Sequence, residues 1–226
     1  MMAGKESITR VGRTTSGCAF DHLTLIANDL RAGSALVSSR LGVVPPPGGK
    51  HPRMGTHNLL LRLGDTAFLE VIAIDPEANS PARPRWFGLD ELDGTEDPFL
   101  GGWVLRTDDI ATSLTRSPLS LGSPEPISRG TLSWTISIPE DGSRPLDGAA
   151  PAFIQWNADV HPAQNMQDLG CRLVKLEVHH PKARQISALT DKVGYQDPSV
   201  EIDFLYAGAP KLVAHIQTPH GLRTLS

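Results

Sequence analysis

Apolar positions along this chain follow two rhythms. From Ala19 to Ala27 apolar and polar residues alternate, which predicts a strand with Phe20, His22, Thr24 and Ile26 on one face. From Leu30 to Leu41 the apolar residues Leu30, Ala32, Ala35, Leu36 and Leu41 fall at helical spacing behind Asp29, whose side chain suits an N-cap. Gly42 follows, where a left-handed helix end is cheap only for glycine. The next segment, residues 45–55, predicts a loop, or a loop with a short edge strand, because proline donates nothing to a ladder. Asn58–Leu63 and Ala67–Ile74 then predict two strands joined at Gly64-Asp65-Thr66.

The phrase recurs twice. A run from Gly102 reaches Asp109, a helix is predicted over Ile110–Ser117 up to Pro118, and Gly122 follows; Thr131–Ile138 and Ala152–Trp156 are the later strands. The third copy places a strand at Arg172–His179, a helix at Lys182–Val193 after Pro181, then Gly194 and strands at Val200–Tyr206 and Leu212–Gln217. The cap-to-glycine spacing is 13 residues in all three. Too few copies are present for a solenoid. The expected architecture is α+β, with repeated βαβββ modules over about residues 18–76, 101–157 and 171–219 whose curved mixed sheets surround a cleft. Residues 1–17 read as a tail. Residues 75–100 and 157–170 read as connectors, the first anchored by Trp86-Phe87.

Composition narrows the function classes. A 226-residue chain with 39% hydrophobic and 20% charged residues is an ordinary globular protein. Net charge is −4 without a basic run, which argues against nucleic acid and anionic membranes as partners. No apolar run is long enough for a membrane span, and the polar N-terminus lacks the apolar core of a secretory signal, so a cytoplasmic location is expected. Cys18 and Cys171 fit a reduced pair. A small-molecule substrate is the expected partner, and a homodimer is compatible with this composition.

Glu70 is the anomaly, a carboxylate inside the apolar run AFLEVIAI, where it is costly unless paired or metal-bound. Phe68, Glu70 and Ile72 share a face, as His22 does with Thr24 on the first strand of the same module. A histidine and a carboxylate on facing strands of a curved sheet can point at one divalent ion, with Zn, Ni, Mn or Fe suited to that donor pair. A satisfied core histidine and a glutamate paired with a base such as Arg62 are the alternative.

The Asp21-His22-Leu23 opening, Phe68-Leu-Glu-Val-Ile72, Gly49–Asn58, Pro84–Leu89, Trp103–Asp109 and Phe153–Trp156 with His161-Pro162 together resemble the vicinal oxygen chelate superfamily, and more narrowly its glyoxalase-like domain group. The resemblance spans nearly all of residues 18–225. It implies paired modules enclosing a divalent metal, with ligands from the first and last strand of each. By position these are His22 and Glu70 in the first copy and Gly102 and Gln155 in the second; the third offers only Val174 and Ala214. Gly102 has no side chain to ligate, which leaves His22, Glu70 and Gln155 as the metal set, and the first copy is expected to pair with the second. The implied activity is metal-dependent isomerase or lyase chemistry on a small substrate with vicinal oxygens, with Glu70 doubling as a catalytic base; dioxygenation is disfavoured because its usual second histidine falls at Gly102. A metal-free protein that sequesters small molecules is the alternative on the same fold.

Other polar residues stand with two readings each. His51 and His57 bind an anionic substrate or supply the missing ligand, or are exposed turn residues. Arg129 pairs with a substrate carboxylate or lies on the surface. His161 is a cleft wall or a turn residue, and Trp103 lines the pocket or fills the core.

Overall fold

The computed structural model describes residues 17–226, so all but the last residue of the expected N-terminal tail lies outside the described residues. Two modules follow in sequence. The first comprises β1 (Ala19–Ile26), α1 (Leu30–Leu41), β2 (Pro47–His51), β3 (Thr56–Arg62) and β4 (Phe68–Ile74). The second comprises β5 (Phe99–Arg106), α2 (Ile110–Arg116), β6 (Ser123–Arg129), β7 (Leu132–Ile138) and β8 (Ala152–Trp156). Their strands form one eight-stranded sheet in the order β2-β3-β4-β1-β5-β8-β7-β6. In each module the first strand runs parallel to the last, and the modules join where β1 pairs antiparallel with β5. The expected pairing of the first copy with the second is thus realised as edge-to-edge addition.

The local signals explain these boundaries. Asp29 and Asp109 accept from the backbone N–H of Ala32 and Thr112 and so start α1 and α2. Gly42 closes α1 with φ 74. Gly122 does not close its helix. α2 ends at Arg116, before Pro118, and Gly122 instead turns the chain into β6 with φ 88, pressed against the backbone of Ile138 and Pro139. The strand β6 carries Pro124 and Pro126 and was not predicted. Both prolines sit on an edge strand, where alternate N–H groups face outward and need no partner.

The two edges of the sheet curl toward each other. Arg53 after β2 donates to the Pro126 carbonyl and pairs with Glu125 at 2.5 Å, and Glu125 also pairs with Arg83 at 3.0 Å. This clamp makes the sheet nearly a barrel, with α1 and α2 outside and a concave face within.

The third segment keeps the expected element order but not the pairing. It contains β9 (Arg172–His179), α3 (Ala183–Lys192), β10 (Glu201–Leu205), β11 (Lys211–Thr218) and β12 (Gly221–Leu225). Its sheet order is β10-β9-β11-β12, so its first strand is flanked on both sides within its own sheet and cannot accept another module. One face of this sheet, with Leu176, Val178, Ala214 and Ile216, packs with Ile186 and Leu189 of α3 into the same apolar core as Leu23, Leu25, Val71 and Trp103. The concave face of the large sheet has its own core of Ile26, Ile72, Trp86, Val104, Trp134, Ile136 and Ile154. No helix is long and apolar enough to cross a membrane. Cys18 and Cys171 are both buried and free.

One departure from strand alternation positions the site. Phe20 pairs with Leu105 and His22 with Val104, so Asp21 is an extra residue, a β-bulge in β1. The bulge flips Phe20 to the helix side, against the expectation that it shares a face with His22. A matching bulge lies in β5, where Thr24 pairs with Gly102 and Leu25 with Leu100, leaving Gly101 as the extra residue. The two irregularities are mates under the module repeat: Gly101-Gly102 stands where the first module has Asp21-His22.

Candidate functional site

A cavity opens on the concave face beside the first module. His22 of β1 and Glu70 of β4 face into it, with Asn58 and Leu60 of β3, His51 at the end of β2 and Arg129 at the end of β6. Phe68, Trp86, Phe87, Trp134, Trp156 and Met166 supply apolar walls. The expected face of Phe68 and Glu70 is confirmed, because Leu69 and Val71, which flank Glu70, belong to the opposite core.

The polar groups form a chain. Asp21 is fully buried and accepts three hydrogen bonds: Oδ1 from His22 Nδ1 at 2.6 Å, and Oδ2 from Trp156 Nε1 at 2.8 Å and His161 Nε2 at 2.9 Å. His161 Nδ1 takes the Ala163 N–H, so the proton of that ring sits on Nε2 and points at Asp21. Burial by itself would raise the Asp21 carboxyl, but the bonds from His161 and His22 outweigh it and hold the group well below the usual carboxylate range. An ionised Asp21 holds the His22 ring through Nδ1 and leaves Nε2 turned toward Glu70, 3.8 Å from its Oε2. The His22 ring also stacks on Phe68, with centroids 4.5 Å apart.

Glu70 hydrogen-bonds to Asn58, not to Arg62. Asn58 Nδ2 donates to Glu70 Oε1 at 2.6 Å, while Arg62 turns away to Asp65. Arg129 closes the chain, donating to Asn58 Oδ1 at 3.4 Å and lying 3.3 Å from His51 Nε2. His51 is buried beside Trp86, and its Nδ1 lies 3.1 Å from Thr56 Oγ1. Burial pushes the His51 imidazole down to about 4, opposed by the Glu70 charge and reinforced by Arg129, so the ring is neutral near pH 7.

The predicted residues divide accordingly. His22, Glu70, His51 and Arg129 converge on the cavity, and His161 supports it from behind through Asp21. Three do not arrive. Gln155 alternates with the cavity-facing Ile154 and Trp156, and its Oε1 accepts the Ile110 N–H at 3.0 Å at the start of α2. Trp103 does not reach this cavity but packs in the helix-side core, where its Nε1 donates to the Ala149 carbonyl at 2.9 Å, and lines a neighbouring cavity in the second module. His57 lies between the inward-facing Thr56 and Asn58 on β3 and points outward. Asp21 and Asn58 were missed. The Asp-His pair in an apolar strand was the available signal for Asp21, but regular alternation sends neighbours to opposite faces.

The repeat also corrects the position equivalent to Glu70. Thr24 pairs with Glu70 in the first module and its mate Val104 pairs with Ala152 in the second, so the counterpart of Glu70 is Ala152 and not Gln155. Gly102 and Ala152 offer no donor atoms. Among the described residues no group of three or more His, Cys, Asp or Glu is arranged to hold a metal. Asp21 behind His22 is the kind of support a metal-bound histidine receives. Even so, two donors fall short of the three or four protein ligands of a resident zinc-type site, and the residues present do not fit one.

The glyoxalase-like domain family matches residues 20–194 of this chain. No curated protein matches the sequence. Among solved structures, a hypothetical protein from Staphylococcus aureus is 14% identical with a TM-score of 0.60, over 86% of this chain and 88% of that one. This likeness is one of fold. A methylmalonyl-CoA epimerase in complex with methylmalonyl-CoA and NH4+ is 17% identical, over 65% of this chain and 100% of that one, with a TM-score of 0.43. A methylmalonyl-CoA epimerase from Mycobacterium tuberculosis is 16% identical, over 65% and 91%, with a TM-score of 0.41.

Proposed function

Since the chain belongs to the glyoxalase-like domain family of the vicinal oxygen chelate superfamily, we propose that it is an enzyme that moves a proton on a small organic substrate bearing adjacent oxygens, in isomerase- or lyase-type chemistry. The observation that carries this reading is the Asp21–His22 hydrogen bond of 2.6 Å, which aims a free imidazole nitrogen at Glu70 across the cavity floor. Burying two carboxylates and an imidazole is expensive, and a protein that only held apolar molecules would gain nothing from it.

In this reading Glu70 takes a proton from the carbon next to a carbonyl. The electron pair moves onto the carbonyl oxygen, which lies beside the Arg129 guanidinium and the Asn58 amide. The proton returns from Glu70, or passes from Glu70 to His22 Nε2 and returns from there, to the same or the neighbouring carbon. Asn58 orients Glu70, and Asp21 stabilises His22 whenever it carries the extra proton. His51, neutral at working pH, adds no charge that would compete with Glu70. The metal dependence expected from the family lacks its ligands in the second module, so each of these steps rests on the chain's own groups.

The aromatic walls favour a second reading, a binding protein for flat apolar molecules. Solvent-deuterium exchange separates the two. The protein is incubated in D2O with a panel of α-keto and α-hydroxy acids and followed by proton NMR, with and without chelator. Exchange into at least one substrate that survives chelation and is lost in Glu70→Gln and His22→Ala supports the enzyme. Saturable binding without exchange supports the binder. Exchange abolished by chelator, with metal bound by the wild type and absent from both variants, overturns the metal-independent mechanism.

A further inference from the structure

A second cavity adjoins the first and lies in the second module. Gly101, Gly102 and Ala152 line it, and these are the repeat mates of Asp21, His22 and Glu70. The polar half-site of the first module therefore has a counterpart stripped of its functional side chains. The remaining walls are mostly apolar, including Leu121, Ile136, Ile138 and Ala150. A Cβ built on Gly102 would meet nothing nearer than Phe87 Cδ1 and Thr24 Cβ, each at 3.8 Å. A Cβ there would make ordinary van der Waals contact without a clash, unlike at Gly101, where a Cβ would lie 2.3 Å from Ile26 Cδ1.

The two cavities share a partition. Trp86, Phe87 and Ile136 line both. The partition is locally strained, because Phe87 holds φ 57 without being a glycine and Gly88 follows at φ 64. Two buried polar atoms beside it, Trp86 Nε1 and Thr24 Oγ1, have no hydrogen-bond partner. Groups of this kind are normally satisfied, and these stand at the junction of the cavities. Arg144 lines the second cavity with its guanidinium 5.1 Å from the Phe99 ring centroid, and it makes no ion pair among the described residues.

We infer that the second cavity is a tail pocket: the substrate places its oxygen-bearing head against His22, Glu70 and Arg129 and its apolar chain past Trp86-Phe87 into the space above Gly102 and Ala152. The inference rests on the enzymatic reading for the identity of the head and on the Gly102 cavity for the tail. Loss of the second set of donors is then a change of use, in which a half-site for oxygen became a half-site for hydrocarbon. The substrate class narrows to acids or ketones with a linear or aromatic tail.

The test is calorimetric titration of the full chain with straight-chain α-keto acids of increasing length. Each methylene that enters the pocket should tighten binding by about fourfold, the equivalent of about 0.8 kcal/mol, until the space is filled. In Gly102→Leu the dependence on length should vanish, while the shortest acid keeps its affinity within about twofold. Ala152→Leu fills the same space from the neighbouring strand and serves if Gly102→Leu does not fold. Equal slopes in wild type and variant, or no dependence on length in the wild type, would overturn the tail pocket. Length-dependent binding without deuterium exchange in any acid would leave the pocket standing and remove the enzymatic reading; exchange without length dependence would do the reverse.

Discussion

Asp21 and His22 are consecutive residues of one strand, yet the carboxylate of the first holds the imidazole of the second at 2.6 Å. In a regular strand their side chains would leave on opposite faces. The bulge at Asp21 makes the contact, and the same bulge turns Asp21 toward Trp156 and His161 from the other module. The site is therefore tied across the module junction at one carboxylate.

Removing that carboxylate should be costly in two separable ways. Asp21→Ala leaves the His22, His161 and Trp156 donors without an acceptor and should lower stability by about 3–5 kcal/mol in urea denaturation. Asp21→Asn keeps the shape and loses the charge. It should unfold closer to the wild type while deuterium exchange falls by at least roughly tenfold, because the imidazolium is no longer stabilised.

The pH dependence follows from His51. Its folded value is depressed to about 4 by burial, while the unfolded side chain titrates near its ordinary 6.5. Between these values the unfolded chain binds more protons than the folded one, so stability falls as pH is lowered from about 6.5 toward 4. The limiting loss is about 3 kcal/mol. Asp21, depressed below its ordinary range, adds a further loss only at still lower pH. Equilibrium unfolding across this window should show a slope approaching one proton, and His51→Gln should flatten it.

Arg129 reaches the cavity from the far edge of the sheet. Arg129→Met should raise the KM of an anionic substrate by about 10- to 100-fold, in line with about 1.5–3 kcal/mol for a charged hydrogen bond. kcat should fall as well, because the same guanidinium faces the oxygen that gains charge in the proposed step. Steady-state kinetics on whichever substrate supports exchange would decide this, and a normal KM would remove Arg129 from the binding role.

Gly122 gives a structural check that needs no substrate. With φ 88 and its missing Cβ direction 2.1 Å from the Ile138 carbonyl carbon, Gly122→Ala should destabilise by more than the roughly 1–3 kcal/mol of left-handed strain alone. Gly130→Ala, at φ 59 with open space around it, should show only the strain. Comparing the thermal midpoints of the two variants tests this.

Much of the framework could be read along the chain. Asp29, Asp109 and Gly42 announced their turns because capping is a local interaction among residues a few positions apart. Glu70 declared itself because a carboxylate in an aliphatic strand is costly wherever the strand ends up. Gly122 kept its spacing while changing its job, since Pro118 ended α2 early and the glycine was needed against the β7–β8 side of the module.

The parts of the site that local pattern could not place share a cause. Asp21 joined it through a bulge, and a bulge depends on how β1 registers against β5, a strand some eighty residues away. Gln155 was matched to Glu70 by apolar pattern, whereas hydrogen-bond register matched Ala152 instead. Arg129 and His51 met only because the sheet curls until β6 lies beside β2. Local order follows from side-chain alternation and capping within a few residues, and the sequence carries most of that order. Register and curvature come from the combined packing of two modules and a third sheet, so which donors share a cavity was settled only in the folded chain.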